Sequence, residues 1–200
     1  MVERLSGILG QERAVNLLRR YLSAGAAPHG LLFSGEEGVG KEKAARAFAG
    51  ALLCRAPGED GACGGCHDCR LFSSSSHPNY LHIAPETDFL KISEIRALQE
   101  ELALKAFSDR PRVAILSDAD RMTPQAANAL LKTLEEPPPE THLLLVAHRI
   151  AGMMPTIVSR CQKVPFFPLP PDVAAGILAR HPDAGAAYPP AVIRMACAVS

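Results

Sequence analysis

Two hundred residues suit one compact domain and part of a second. Twenty-one basic and 21 acidic side chains cancel, which removes the simplest argument for strong autonomous binding to nucleic acid and leaves only a local basic face open. Aromatic residues make up 5% of the chain and Trp is absent, so a platform of stacked bases is excluded as the main mode of action.

A hydrophobic fraction of 48% supplies ample core-forming material, yet no segment approaches the roughly 20 apolar residues that span a bilayer. Met1 to Leu5 lacks a basic region followed by an apolar core, so no secretory signal is read and a cytoplasmic location is expected.

The first predicted helix runs from Gln11 to Ala24, with Ala14, Val15, Leu17, Leu18, Tyr21 and Leu22 on its apolar stripe and Gly25 as its C-cap. Leu5 to Gly10 leads into it as a loop. Pro28-His29-Gly30 then breaks the chain before a short strand, Leu31-Leu32-Phe33. Next comes Gly35-Glu36-Glu37-Gly38-Val39-Gly40-Lys41-Glu42, followed by an alanine-rich helix from Lys43 to Leu53.

Strand, glycine-rich turn and helix form the setting of a phosphate-binding loop. Gly35, Gly38 and Gly40 let backbone N–H groups turn inward, the helix N-terminus adds partial positive charge, and Lys41 is placed to reach terminal phosphates. The spacing G-x-x-x-x-G-K is met, but Glu42 stands where a hydroxyl residue should hold Mg²⁺. Two unit charges about 4 Å apart at an effective dielectric near 20 interact by roughly 4 kcal/mol. Beside a triphosphate that sign is repulsive unless Glu42 turns out to solvent. The plainer alternative is a structural turn that carries no nucleotide.

Cys54, Cys63, Cys66 and Cys69 follow with the spacing C-x8-C-x2-C-x2-C, and Gly64 and Gly65 allow the tight bend between them. Four thiolates in one short insert suit a closed, structural Zn²⁺ site with no open position for catalysis. An iron–sulfur cluster and free thiols are the rivals, but a ferredoxin-type run needs a further cysteine three residues on and a proline, and Arg70-Leu71-Phe72-Ser73 stands there instead. His67 and His77 are near enough in sequence to replace a thiolate. Cys161 and Cys197 are isolated and read as core residues.

Beyond the insert and the brief polar loop Ser73 to Ser76, Tyr80 to Ile83 is expected as a strand. Lys91 to Lys105 reads as a helix with Ile92, Ile95, Leu98 and Leu102 on one stripe. Arg112 to Ser117 reads as a buried strand ending in Asp118-Ala119-Asp120. These two carboxylates stand at a crevice edge where an ATPase orients Mg²⁺ and water, or they cap the following turn. Thr123 caps the next helix and Pro124 opens it; Ala127, Leu130, Leu131 and Leu134 line its inner face, and Pro137-Pro138-Pro139 ends it. His142 to Ala147 is a further strand, Pro155 to Val158 a short helix and Lys163 to Phe166 a last strand. The proline-rich stretch Pro165 to Pro171 reads as a hinge before a helix from Asp172 to Arg180, and Pro189-Pro190 precedes another. Strands alternating with helices predict an α/β domain with a mainly parallel sheet.

Four stretches occur here in one order: Gly35 to Lys41, the cysteine insert, Ala126-Ala127-Asn128-Ala129-Leu130-Leu131-Lys132-Thr133-Leu134-Glu135-Glu136-Pro137, and Ser159-Arg160-Cys161. Through them the chain resembles the bacterial DNA polymerase III clamp loader subunits of the AAA+ class. The resemblance implies a P-loop NTPase-like domain over residues 1–166 with the zinc module at 54–69, the start of a helical lid over 167–200, and a C-terminal collar domain missing from this stretch.

Within that family the gamma/tau type is the ATPase motor, and the delta-prime type looks the same but has a degraded site. Glu42, the interrupted pair Asp118-Ala119-Asp120, and Ala147-His148-Arg149 where the motor has a phosphate-sensing threonine all resemble the second type. The resemblance then implies an accessory polymerase subunit without its own ATPase that partners gamma/tau and delta subunits. Through that complex it would act on the sliding clamp and primed DNA, and Arg160 would serve as an arginine finger in the ATP site of a neighbouring gamma/tau subunit. Whether the degenerate loop takes ATP is not decided by the residues. Two other readings stay open: an active gamma/tau-type ATPase in which Glu42 points away, and a zinc-dependent interaction module on an inactive scaffold.

Overall fold

The computed structural model describes residues 2–104 and 109–179. Lys105 and Arg180 as expected helix ends, together with Pro189-Pro190 and Cys197, lie outside the described residues. Among the described residues five strands make one sheet: β1 (Gly30–Ser34), β2 (Tyr80–Ile83), β3 (Arg112–Leu116), β4 (Thr141–Ala147) and β5 (Gln162–Pro165). Their spatial order is β2-β3-β4-β1-β5, and every neighbouring pair is parallel. Leu32 of β1 lies opposite Leu145 of β4 and Lys163 of β5, and Ala114 of β3 lies opposite Leu143 of β4.

Among the described residues seven helices pack around it: α1 (Glu12–Ala24), α2 (Lys41–Leu53), α3 (His67–Ser73), α4 (Ile92–Ala103), α5 (Pro124–Glu135), α6 (Pro155–Arg160) and α7 (Pro171–Ala179). The strands are near-continuous apolar runs because alternate residues enter different cores. Leu31, Phe33, Val113, Ile115, Leu144 and Val146 pack with Leu18 of α1 and Ala44 and Phe48 of α2. Leu32, Ala114, Leu116, Leu143 and Leu145 pack with Leu98 of α4, Leu130 and Leu134 of α5, and Ile157 of α6. A parallel sheet covered on both faces requires this pattern. Each fully buried Leu, Ile, Val or Phe among them contributes about 1.5–3 kcal/mol from burial.

Local chemistry sets the ends. Gly25, with φ 60°, closes α1 and donates its N–H to the Leu22 carbonyl at 3.2 Å. The Thr123 hydroxyl accepts from the Ala126 N–H at 3.3 Å and Pro124 opens α5. The expected strands and helices are present within one or two residues at their described ends, with a few short additions. A 3₁₀ turn, Leu5–Gly7, occupies the lead-in loop and buries Leu5 completely. The end of the cysteine insert is helical, because Cys66 caps α3 by accepting the Cys69 N–H at 3.4 Å.

The proline-rich stretch is fastened rather than free. Gln11, 3% exposed, donates to the Phe167 carbonyl at 2.7 Å and accepts the Phe167 N–H at 3.1 Å. No helix among the described residues is long and apolar enough to cross a membrane.

Candidate nucleotide cleft and metal centre

With all strands parallel, the loops after β1, β3 and β4 converge at one edge of the sheet, where a crevice ligand binds in open α/β folds. The first of them is the glycine loop. A Cβ on Gly35 would lie 2.5 Å from the Phe166 carbonyl oxygen, so only glycine passes this point. Gly40, at φ 95°, turns the chain into α2, which begins at Lys41, two residues earlier than expected.

Lys41 is 4% exposed, and its ammonium is already engaged. Nζ donates to the Glu36 carbonyl at 2.5 Å and meets His148 Nδ1 at 3.2 Å. His148 Nε2 lies 2.7 Å from Asp118 Oδ1. Lys41 can only donate, so Nδ1 accepts and Nε2–H donates to Asp118. Burial lowers the Lys41 pKa from its ordinary value, against the pull of Asp120, Glu37 and Asp118.

Glu42 does not turn out to solvent. Its Oε2 accepts from the Ser117 hydroxyl at 2.9 Å, and its Oε1 lies 3.3 Å from His82 Nε2. Burial pushes the carboxyl pKa up, but His82 beside it and the Ser117 hydrogen bond outweigh this and hold Glu42 below the usual range. The carboxylate does not point away, as the active-motor reading expects of it; it points into the site and ties α2 to the ends of β2 and β3.

Asp118 and Asp120 do not cap the turn with their side chains. Asp118 holds His148, and Asp120 accepts the His148 and Arg149 N–H groups at 2.9 and 3.1 Å, fixing the chain just past β4. The cleft they enclose measures about 490 Å³ and is lined by Lys41, Glu42, His82, Ser117, Asp118 and His148, among others. A more apolar cavity of about 530 Å³, lined by Ile8, Leu9, Val39, Leu169 and Ile177, shares Gly38, Gly40 and Lys43 with it. His82 and Ser117 were not singled out from sequence. The signal available was a polar side chain at the C-terminal end of a strand facing the crevice.

The four insert cysteines converge. Their sulfur atoms all lie within 4.8 Å of one another, with Cys54–Cys66 at 4.0 Å and Cys63–Cys69 at 3.8 Å. A tetrahedral ion with bonds of about 2.3 Å to sulfur has S–S edges of about 3.8 Å, so the donor set fits Zn²⁺. Backbone N–H groups of Ala56 and Cys63 point at Cys54 Sγ at 3.4 and 3.3 Å. Burial works to raise the Cys66 pKa, yet N–H donors from Arg55 and Cys69 bring it to about 6, while burial pushes Cys54 and Cys69 up. A metal ion would be needed to hold the latter two as thiolates. His67 and His77 do not replace a thiolate; both face the buried Asp68, at 3.5 and 3.7 Å, and Asp68 also pairs with Arg55 at 2.7 Å. Cys161 is a buried core residue, as expected.

Arg160 ends α6 and does not line the chain's own cleft. Its Nη1 donates to the Thr156 carbonyl at 3.0 Å, and its Nη2 lies 2.6 Å from Glu135 Oε1.

A sequence profile of the family described as DNA polymerase III, delta subunit, matches residues 10–170. DNA polymerase III subunit delta' of Bacillus subtilis (strain 168) is 37% identical over 161 residues, 80% of this chain and 49% of that protein. The chain belongs to the DNA polymerase III delta-prime family. DNA polymerase III subunit tau of the same organism is 31% identical over 164 residues, 82% of this chain and 29% of that protein. A crystal structure of a DNA polymerase III gamma subunit-related protein from Thermotoga maritima superposes with a TM-score of 0.55 at 23% identity, over 84% of this chain and 49% of that one. The shared fold is that of AAA+ proteins. This delta-prime family member spans about half the length of the curated delta-prime relatives that it matches.

Proposed function

We propose that the protein to which this chain belongs is the delta-prime subunit of a DNA polymerase III clamp loader, working in the cytoplasm. It does not hydrolyse ATP itself, and it presents Arg160 as an arginine finger to the ATP site of a neighbouring gamma/tau subunit while the complex, with delta, loads the sliding clamp onto primed DNA. Residues up to 166 form the nucleotide-binding-fold domain, and the lid begins at 167. The four cysteines hold a structural Zn²⁺.

One observation carries the non-hydrolysing reading. The ammonium that should meet phosphate is held by Glu36 and His148, and the position that should hold Mg²⁺ is a carboxylate already bonded to Ser117. A triphosphate would have to break these contacts and face Glu42 and Asp118 without the usual metal ligand. Arg160 can act elsewhere because it stands outside this cleft. A guanidinium stabilises charge developing on a transferred phosphoryl group, and such fingers are worth about 10³–10⁵ in rate at the site they face.

The test uses the full-length subunit assembled with its partners. Arg160→Ala is expected to leave folding and assembly intact and to lower the DNA-stimulated ATPase of the complex; normal turnover would remove the assignment. The full-length subunit alone is expected to show no Mg²⁺-dependent turnover. Motor-like turnover there would favour the active gamma/tau-type reading, whose support is the intact G-x-x-x-x-G-K spacing.

A further inference from the structure

We infer that Glu135 is a positioning residue for Arg160, an inference that rests on the trans-acting role proposed above. The two residues end neighbouring helices, Glu135 the last of α5 and Arg160 the last of α6. Leu134 and Ile157 belong to one core, which fixes the two helix ends against each other. Arg160 is therefore gripped from two elements: the Thr156 carbonyl of its own helix accepts from Nη1, and the Glu135 carboxylate of α5 holds Nη2. A guanidinium has five N–H donors in a fixed plane. Nη1 and Nη2 are each engaged once, and the remaining N–H groups have no acceptor among the described residues.

Stability does not explain the pair. Its side chains are 37% and 48% exposed, and such ion pairs add almost nothing to folding. Geometry does explain it. A finger acts only when its donors are held close to where charge develops, and a free arginine must lose considerable rotamer freedom to get there. Glu135 removes that freedom beforehand, so its effect falls on the chemical step rather than on ATP affinity. The adjacent Glu136, also exposed, makes no ion pair among the described residues and serves as an internal control.

The experiment measures DNA-stimulated ATP turnover against ATP concentration for the assembled complex carrying full-length variants. Glu135→Ala is expected to lower kcat about tenfold while leaving KM for ATP within about twofold. Glu135→Gln keeps an oxygen acceptor and should restore most of the rate; Glu136→Ala should match the parent. The double variant Glu135→Ala/Arg160→Ala should be no slower than Arg160→Ala alone, because one residue acts through the other. Unchanged kcat in Glu135→Ala, or a loss that adds in full to that of Arg160→Ala, overturns the positioning role. If Arg160→Ala itself turns over normally, it is the finger reading that fails, and the two failures are told apart by that single variant.

Discussion

The carboxylate of Glu42 is bonded to Ser117 at 2.9 Å and lies 3.3 Å from His82, so it holds three elements together. Its hydrogen bonds keep its pKa in the fold below the ordinary value of 4.5, despite burial. A carboxylate depressed in this way adds stability above pH 4.5 and loses it as pH falls through the lower folded-state value. Glu42→Gln should thus lower the urea midpoint at pH 7, by the equivalent of about 0.5–1.5 kcal/mol, the net worth of one hydrogen bond. The difference from the parent should shrink as pH drops below 4.5; a difference that persists there would rule out the charged hydrogen bond as its origin. Glu42→Thr puts back a metal-binding hydroxyl, yet the full-length subunit carrying it should still show no Mg²⁺-dependent ATP turnover, since Lys41 remains on His148 and His148 on Asp118. At this scale the sequence exposed the anomaly but not its direction. Glu42 was legible as a misfit in a phosphate loop, whereas its partners, His82 of β2 and Ser117 just past β3, are 40 and 75 positions away, and no local pattern names them.

Elements were legible where local chemistry decides them. The alternation of apolar strands with amphipathic helices, the Thr123-Pro124 start of α5 and the Gly25 stop of α1 all act within a few residues, and the structure follows them. Elements fixed by distant partners were not. The stretch Pro165 to Pro171 has the composition of a hinge, but a buried glutamine 156 positions upstream bonds both backbone groups of Phe167. Likewise α3 has only seven residues, and a thiol cap with a hydrogen-bonded insert behind it stabilises what propensity alone would leave unformed. Gln11→Ala should therefore behave as a joint mutation. It removes two hydrogen bonds to the backbone of the exposed Phe167, worth about 0.5–1.5 kcal/mol each, and should lower the thermal midpoint and raise amide exchange at Phe166, Phe167 and Leu169. Unchanged exchange there would show that the prolines hold the stretch unaided.

At the scale of the molecule, the cysteine insert is wired to the rim of the cleft. The turn at Gly58 and Gly61 presents Asp60, whose carboxylate accepts from the Ser6 N–H at 2.7 Å, the Ser6 hydroxyl at 2.5 Å and Arg19 Nη2 at 3.0 Å. The Asp60 carbonyl also accepts the Leu5 N–H at 3.2 Å. These contacts fasten the 3₁₀ turn that buries Leu5, places Ile8 in the wall of the apolar cavity and gives Lys43 the Gly7 carbonyl at 3.1 Å. The insert's own apolar cluster is small, Cys54, Ala62 and Cys69, so with a metal ion on the four proposed thiolate ligands its shape would depend on that ion far more than on packing. Chelation, or Cys66→Ser, should consequently raise amide exchange not only across 54–73 but also at 5–8, while β1, β3 and β4 stay protected by their two-sided burial. Asp60→Ala should break the relay: the rim would exchange faster with metal present, and chelation would no longer change it. Protection at 5–8 that ignores the metal in the unmutated protein would mean that the N-terminal turn is held by Leu5 and Ile8 in the core alone, and that the insert and the cleft are independent.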